Sequence, residues 1–353
     1  MVAAPDPGGE SVTGRVERWL AAGRVPDWLV RRGIRRLLGK RLAQEHASDP
    51  ELSARRLQQW IARCDRSEIA VETQAANTQH YEVPAAFYAH VLGRHRKYSS
   101  GLWTRASTLD DAEADMLALT CERAGIEDGM RVLDLGCGWG SLTLWLAQHW
   151  PNCRVVGVSN AASQQLDVLA RAEAAGLRNV EVVTADANTF TAPGRFDRIV
   201  SVEMMEHTRN WRRLLERAAS WLVPAGRMFV HVFTHRSVGY EFATDGRDDW
   251  MARHFFTGGQ MPADAQLLWF QDHFAVQSHW RVPGWHYART AEAWLANFDR
   301  ERTALAPILR AAYGERAAAM GNLWRVFFMA CAELWGCRGG SEWLVSHYLL
   351  QRR

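Results

Sequence analysis

The stretch Ser201 to His207, SVEMMEH, sets Glu203, Glu206 and His207 within five residues at the end of a β-forming run. That combination suits proton handling on a cationic substrate. A His or Glu within hydrogen-bond reach can take a proton from an aliphatic ammonium and free its lone pair, while a nearby carboxylate attracts the cation. Two neighbouring carboxylates also push one of their pKa values up, which makes that one the better base. The same residues admit a structural use, with Glu203 accepting backbone amides and Glu206 capping the helix expected in TRNWRRLLERA.

A second stretch, VLDLGCGWG, runs an apolar strand into Asp134 and then Gly136, Gly138 and Gly140, with a helix opening at Ser141. Glycine there allows a tight turn and lets a ligand approach bare backbone. A dinucleotide fingerprint would carry its third glycine at 141 and an acidic residue closing the second strand. Ser141, Ser159 and Asn160 occupy those places instead, and Asp186 closes the third strand in TADA.

Both stretches need a sheet to carry them. Short β-rich runs at 131–136, 154–159, 180–186, 196–203 and 227–233 alternate with helical segments such as SLTLWLAQHW and QQLDVLARAEAAG. The alternation predicts an α/β, Rossmann-like fold with an open parallel sheet that binds ligands at the carboxyl ends of its strands. Upstream, apolar residues recur at helical spacing from Trp19 to Leu42 with a break near Pro26, and a further helix follows SDPE towards Cys64. These predict a helical, Arg-rich N-terminal cap over residues 1–75, disordered over its first 13 or so, and a catalytic domain over 76–353. Beyond 236 an aromatic stretch interrupts the alternation. With helices at 291–312 and 316–335 it forms an inserted, substrate-binding lid over about 236–330, and WLVSHYLLQRR reads as a last strand.

Composition narrows the function classes. The 353 residues are 48% hydrophobic, ample for a sizeable core and unlike a disordered chain. A net charge of +3, from 42 basic and 39 acidic residues, does not point to nucleic acid as a partner. Lys40 and Lys97 are the only lysines. Cys64, Cys121, Cys137, Cys153, Cys331 and Cys337 show no metal-ligand spacing and read as free thiols in a reducing compartment. No apolar run approaches the length of a membrane span, and the N-terminus lacks a secretory pattern. A soluble, cytoplasmic protein without membrane contact is expected, and a homodimer is compatible with it.

The motifs QHYEVPAAFY, RHRKYSSGLW, LDLGCGWGSL, GVSNAASQ, DRIVSVEMMEH, HFFTGGQMP, FQD and HYARTAEAWLANF occur in this order. Together they resemble the cyclopropane-fatty-acyl-phospholipid synthase superfamily of class I S-adenosylmethionine-dependent methyltransferases, and within it the coclaurine N-methyltransferase branch. The resemblance runs from about residue 70 to the C-terminus. It implies S-adenosyl-L-methionine as cofactor, no metal, and N-methylation of a small, aromatic-bearing amine such as a tetrahydroisoquinoline. A lipid-modifying synthase is the alternative, and a non-catalytic cofactor-binding module a distant third.

Carried over by position, the resemblance makes Tyr98 and Ser99 contacts to the methionine end of the cofactor. Asp134, Gly136 and Gly138 become the glycine-loop site, Asn160 and Gln164 ribose contacts, Asp186 and Ala187 adenine contacts, and Val202 a backbone contact. The synthases hold bicarbonate with a cysteine, a glutamate, a histidine and a tyrosine. Here Ser100 stands at the cysteine position, Glu206, His231 and Tyr287 fill the others, and Glu203 replaces a glycine. The resemblance therefore implies Glu206 and His207 for proton handling and Glu203 for amine attraction.

Tyr81, Phe255, Phe256, Trp285, Tyr287, Trp324, Phe327 and Phe328 are candidate pocket walls, since aromatic faces suit a flat or cationic amine. Tyr81, Phe256, Tyr287, Trp324 and Phe328, with His231, form the expected substrate-binding set. Trp324 and Phe328 share one helical face, which core packing also explains, and His231 is equally well read as a buried core histidine.

Overall fold

The computed structural model describes residues 12–45, 49–71, 83–242, 251, 255–256 and 258–353. Residues 1–11, the expected boundary near residue 75 and Tyr81 lie outside them.

Three helices come first: α1 (Val12–Ala21), α2 (Asp27–Glu45) and α3 (Pro50–Cys64), the last capped by the Asp49 side chain on the Glu51 amide. After α4 (Ala85–Val91), α5 (Leu109–Ala124) opens on a reciprocal Thr108/Asp111 capping box and closes on Gly125 in the left-handed region.

The predicted alternation follows. It comprises β1 (Arg131–Leu135), α6 (Ser141–His149), β2 (Arg154–Ser159), α7 (Ala162–Ala174), β3 (Val180–Thr184), β4 (Phe196–Val202), α8 (Trp211–Trp221) and β5 (Leu222–His235). These five strands are parallel, in the order β3-β2-β1-β4-β5. A two-stranded ribbon, β6 (Tyr240–Glu241) and β7 (Gln260–Met261), precedes β8 (Phe274–Val282). Helices α9 (Trp285–Arg300), α10 (Arg302–Tyr313) and α11 (Ala317–Gly336) then lead to β9 (Trp343–Arg352). The last strand pairs antiparallel with both β5 and β8 and completes a seven-stranded sheet.

Three differences from the expected elements matter. Strand β5 starts at Leu222, earlier than its β-rich centre. The single helix expected at 291–312 is two helices meeting at Glu301. Strand β8 lies inside the stretch read as part of the lid.

Apolar side chains cover both sheet faces. Leu117, Leu142 and Leu146 pack with Val155 and Phe229 on one face, and Trp211, Leu214 and Leu215 with Ile199 and Val230 on the other. A third, aromatic core fills the space among α4, α9, α10 and α11, and the N-terminal helices dock on it. Val30 is buried there, and Arg325 of α11 clamps both Asp27 and Asp299 at 2.5–3.1 Å.

Candidate active site

The site gathers at the carboxyl ends of β1, β2, β3 and β4. At the end of β1 the chain turns through Gly136 (φ +89°) and Gly138 (φ +51°). A Cβ at Gly136 would lie 2.4 Å from the Met204 side chain, whereas the Cβ direction of Gly138 faces open space. The turn is thus pressed against the segment after β4 on one side and left bare on the other. Asp134 is buried, accepts the Thr143 hydroxyl at 2.7 Å, and is pushed up to about 6 by burial. The Ser141 hydroxyl, in the first turn of α6, is buried with no partner among the described residues. Ser159 donates to Gln164 Oε1 at 2.5 Å, and Asp186 accepts the Asn188 amide at 2.7 Å.

Asp134, Gly136, Gly138, Asn160, Gln164, Asp186, Ala187, Val202, Tyr98 and Ser99 all line one continuous cavity. Tyr98 and Ser99 sit on a loop fixed between two helices. Glu113 of α5 accepts the amides of Gly93 and His95, each at 2.9 Å. Thr290 of α9 accepts the Gly101 amide and the Trp103 indole, and His286 accepts the Trp103 amide. Inside the loop Lys97 is fully buried and donates to Ser99 Oγ at 2.5 Å and to the Ser100 carbonyl at 2.9 Å. Burial lowers Lys97 to about 8 against the opposing charges of Glu203 and Glu113, and burial raises Glu113 to about 7. Neither residue was expected from sequence; Lys97, one of two lysines in an Arg-rich chain, was the available signal.

Glu203 stands where β4 has ended, with φ +47°. A residue with a Cβ pays roughly 1–2 kcal/mol for the left-handed region, so its side chain must be held firmly. Oε1 accepts the Ser100 amide at 3.0 Å and faces His231 Nε2 at 3.1 Å, and Oε2 accepts the Tyr287 hydroxyl at 2.6 Å. Ser100, His231 and Tyr287, which the resemblance assigns to a bicarbonate cage, are here arranged around the carboxylate of Glu203 itself.

Glu206 lies in a short 3₁₀ turn, Met205–His207, lines the same cavity, and is fully buried. Neither of its oxygens has a hydrogen-bond partner among the described residues. The amides of Glu206 itself and Phe233 favour its anion without reaching hydrogen-bond geometry. Burial and then the charge of Glu203 push it well above the carboxylate range. Burial also raises Glu203, but Lys97, Tyr287, the Ser100 amide and His207 oppose that rise. The two therefore titrate as a pair with Glu203 the anion and Glu206 the neutral member. His207 lines the cavity, stacks on Phe256 (5.2 Å between centroids, 11° between planes), and is lowered to about 4 by burial despite Glu203. Glu206 does not cap α8; Asn210 does, accepting the Arg213 amide.

The far wall of the cavity is aromatic. Phe256 and Tyr287 of the expected substrate set line it, joined by Phe233, Phe242, Trp294, Phe327, Leu334 and Trp335. Trp324 and Phe328 do not: both are fully buried in the aromatic core nearer the start of α11, Trp324 against Phe87 and Phe255, and Phe328 against Phe298 and Trp294. His231 sits behind Glu203 in β5, away from the cavity wall. Among the described residues no three His, Cys, Asp or Glu side chains are placed to hold a metal ion, and no helix is long and apolar enough to cross a membrane.

The strand order, with its antiparallel β9, and the glycine turn closing β1 define the class I methyltransferase fold. The chain belongs to the mycolic acid cyclopropane synthetase family, whose profile matches residues 70–338. It is 36% identical over 340 residues to (S)-coclaurine N-methyltransferase of Thalictrum flavum subsp. glaucum, covering 95% of this chain and 94% of that one. It is 30% identical over 269 residues to the cyclopropane-fatty-acyl-phospholipid synthase of Escherichia coli (strain K12), covering 76% and 66%. A crystal structure of coclaurine N-methyltransferase bound to N-methylheliamine and S-adenosylhomocysteine superposes with a TM-score of 0.93 at 34% identity, covering 96% of this chain and 99% of that one.

Proposed function

We propose that this enzyme transfers the methyl group of S-adenosylmethionine to the nitrogen of a small, aromatic-bearing amine such as a tetrahydroisoquinoline. The observation that carries the reading is the buried Glu203 carboxylate, held by three donors in a cavity whose remaining wall is aromatic. The similarity to coclaurine N-methyltransferases over nearly the whole chain supports it.

The residues fit the cofactor. The turn at Gly138 leaves backbone open to a ligand, the Ser141 hydroxyl lacks a partner, and polar side chains line the cavity at the ends of three strands. Asn160 and Gln164 would hold the ribose, Asp186 and Ala187 the adenine, Tyr98 and Ser99 the methionine end, and Asp134, Gly136, Gly138 and Val202 the remaining contacts. When bound, the cofactor supplies an electrophilic methyl group on a sulfonium.

Glu203 attracts the ammonium form of the amine. As the ammonium arrives beside Glu203, Glu206 releases its own proton to solvent, and its open oxygens then accept the amine N–H. Glu206, the stronger base of the two by its raised pKa, takes that proton with neutral His207 beside it to pass the proton on, and the freed lone pair is left facing the transferable methyl group. Phe256 and Tyr287 flank the ring system of the amine, and His231 acts through Glu203. Helices α1 to α3 form a cap over residues 1–75 on the catalytic domain of residues 76–353, with the lid over about 236–330. The protein is cytoplasmic, with no nucleic-acid or membrane partner, and a homodimer is compatible with this reading.

Labelled S-adenosylmethionine offered with tetrahydroisoquinolines and arylalkylamines, beside vesicles of unsaturated phospholipid, tests the reading. Label is expected in the amines. Label in lipid with none in amine overturns it in favour of the synthase chemistry.

A further inference from the structure

Behind Glu203 a hydrogen-bonded line of side chains crosses the sheet. His231 of β5 pairs in register with His347 of β9, so both rings stand on the same face. His231 Nε2 lies 3.1 Å from Glu203 Oε1, and His231 Nδ1 lies 2.9 Å from His347 Nε2. His347 Nδ1 lies 2.7 Å from a guanidinium nitrogen of Arg123, on α5. Arg123 in turn lies over the Trp280 ring, 4.8 Å from its centroid, and Trp280 of β8 pairs in register with His347.

A guanidinium donates and cannot accept. Arg123 therefore makes Nδ1 of His347 an acceptor, which leaves the proton of the neutral ring on Nε2. That N–H makes Nδ1 of His231 an acceptor in its turn, and the His231 proton stands on Nε2, facing Glu203. Both rings are fully buried, and burial with the nearby cations holds each well below its ordinary pKa.

We propose that Arg123 and His347 are positioning residues for methyl transfer, fixing the tautomer of His231 so that an N–H holds Glu203 ionised beside the amine. The proposal rests on the reading that Glu203 faces the amine. Every donor along the line points towards Glu203 and Arg123 cannot accept a proton, so the line orients and does not conduct the amine proton away. The groups facing Glu203 from the packed elements are Lys97, Glu206, His207, His231, Tyr287 and Cys331. Of these His231 alone belongs to the line, and the charge of Lys97 also acts on both of its histidines.

The test compares Arg123→Met, Arg123→Lys and His347→Phe in kcat against pH with tetrahydroisoquinoline, alongside binding of S-adenosylhomocysteine. Removing a donor raises the pH at which Glu203 loses its charge. Arg123→Met and His347→Phe are therefore expected to move the acid limb of kcat up by about one pH unit and to cost about tenfold at neutral pH, with S-adenosylhomocysteine binding unchanged. Arg123→Lys, whose ammonium also only donates, keeps the limb in place. An unmoved limb in folded Arg123→Met overturns the proposal. In the unmodified enzyme, nitrogen NMR is expected to show His231 and His347 neutral with the proton on Nε2; either ring as the other tautomer or as an imidazolium overturns it without any variant. Full activity in Glu203→Gln instead rejects the role of Glu203 itself. If that variant is impaired, adding Arg123→Met to it is expected to cause no further loss, and an additive loss overturns the proposal.

Discussion

The Tyr287 hydroxyl donates to Oε2 of Glu203 at 2.6 Å, while its ring stacks flat on Trp335, 4.7 Å away and 2° from parallel. One side chain thus ties α9 and α11, both beyond the parallel sheet, to the turn that follows β4. The lid helices and the charged centre of the site are fixed relative to each other through this contact.

Replacing Tyr287 by Phe keeps the stacked ring and removes the donor. A hydrogen bond to a charged group contributes about 1.5–3 kcal/mol, so turnover is expected to fall about tenfold or more. Glu203 then ionises at higher pH and the acid limb of the rate profile moves up. S-adenosylhomocysteine affinity, read by calorimetry, stays at the unmodified level. An acid limb that stays in place would show that Tyr287 serves packing alone.

Glu203→Gly relieves the left-handed backbone at φ +47° but leaves a carboxylate-sized space facing the Ser100 amide, His231 and Tyr287. Turnover is expected to drop by at least about a hundredfold, within the range of a lost proton-handling group. Added formate is expected to restore part of it, saturably, because the three donors still converge on that space. Glu203→Gln, whose amide fills the space, serves as the control that formate leaves unchanged.

Glu206 carries a prediction about stability. Its folded pKa stands well above the ordinary value of 4.5, so the folded state binds a proton that the unfolded chain has released. Stability contributed by the neutral form is present at low pH and is lost as pH rises above 4.5 towards the folded value. Glu206→Gln removes that ionisable group. Urea unfolding is expected to show the variant gaining on the unmodified enzyme more at pH 8 than at pH 5, even as its turnover falls. An equal difference at both pH values would mean that Glu206 is ionised in the fold.

The parallel half of the sheet was legible because short apolar runs ended by turn residues have few other solutions in an alternating βαβ chain. Strand β8 was not, because its register shifts between Val276 and Ser278, which puts Phe274 and Val276 on one face and Ser278, Trp280 and Val282 on the other, so no single two-residue period runs through it. The grouping of Asp134, Asn160 and Asp186 followed from strand ends alone. Lys97 and Glu113 escaped notice because their meeting depends on how a loop folds back on α5, which no local pattern encodes. The glycine that the resemblance places at position 203 in the synthases was a conformational signal as well as a chemical one, and the positive φ here gives its reason.

Helix α11 shows where periodicity runs out, and it supplies a last test. Trp324, Phe328, Cys331 and Trp335 fall on one helical stripe, so spacing alone does not divide core from pocket. Trp324 and Phe328 point into the aromatic core, whereas Phe327, Cys331, Leu334 and Trp335 border the cavity. Trp324→Ala is therefore expected to cost about 3–5 kcal/mol of stability with amine selectivity unchanged in the folded enzyme. Cys331→Phe is expected to do the reverse. It adds bulk beside Glu203 and should lower kcat/KM for a tetrahydroisoquinoline with a large ring substituent by about tenfold more than for the unsubstituted amine. Competition between the two amines, run beside thermal unfolding of both variants, separates the core end of the helix from the cavity end. Equal loss on both amines from Cys331→Phe would place the substituent elsewhere in the cavity.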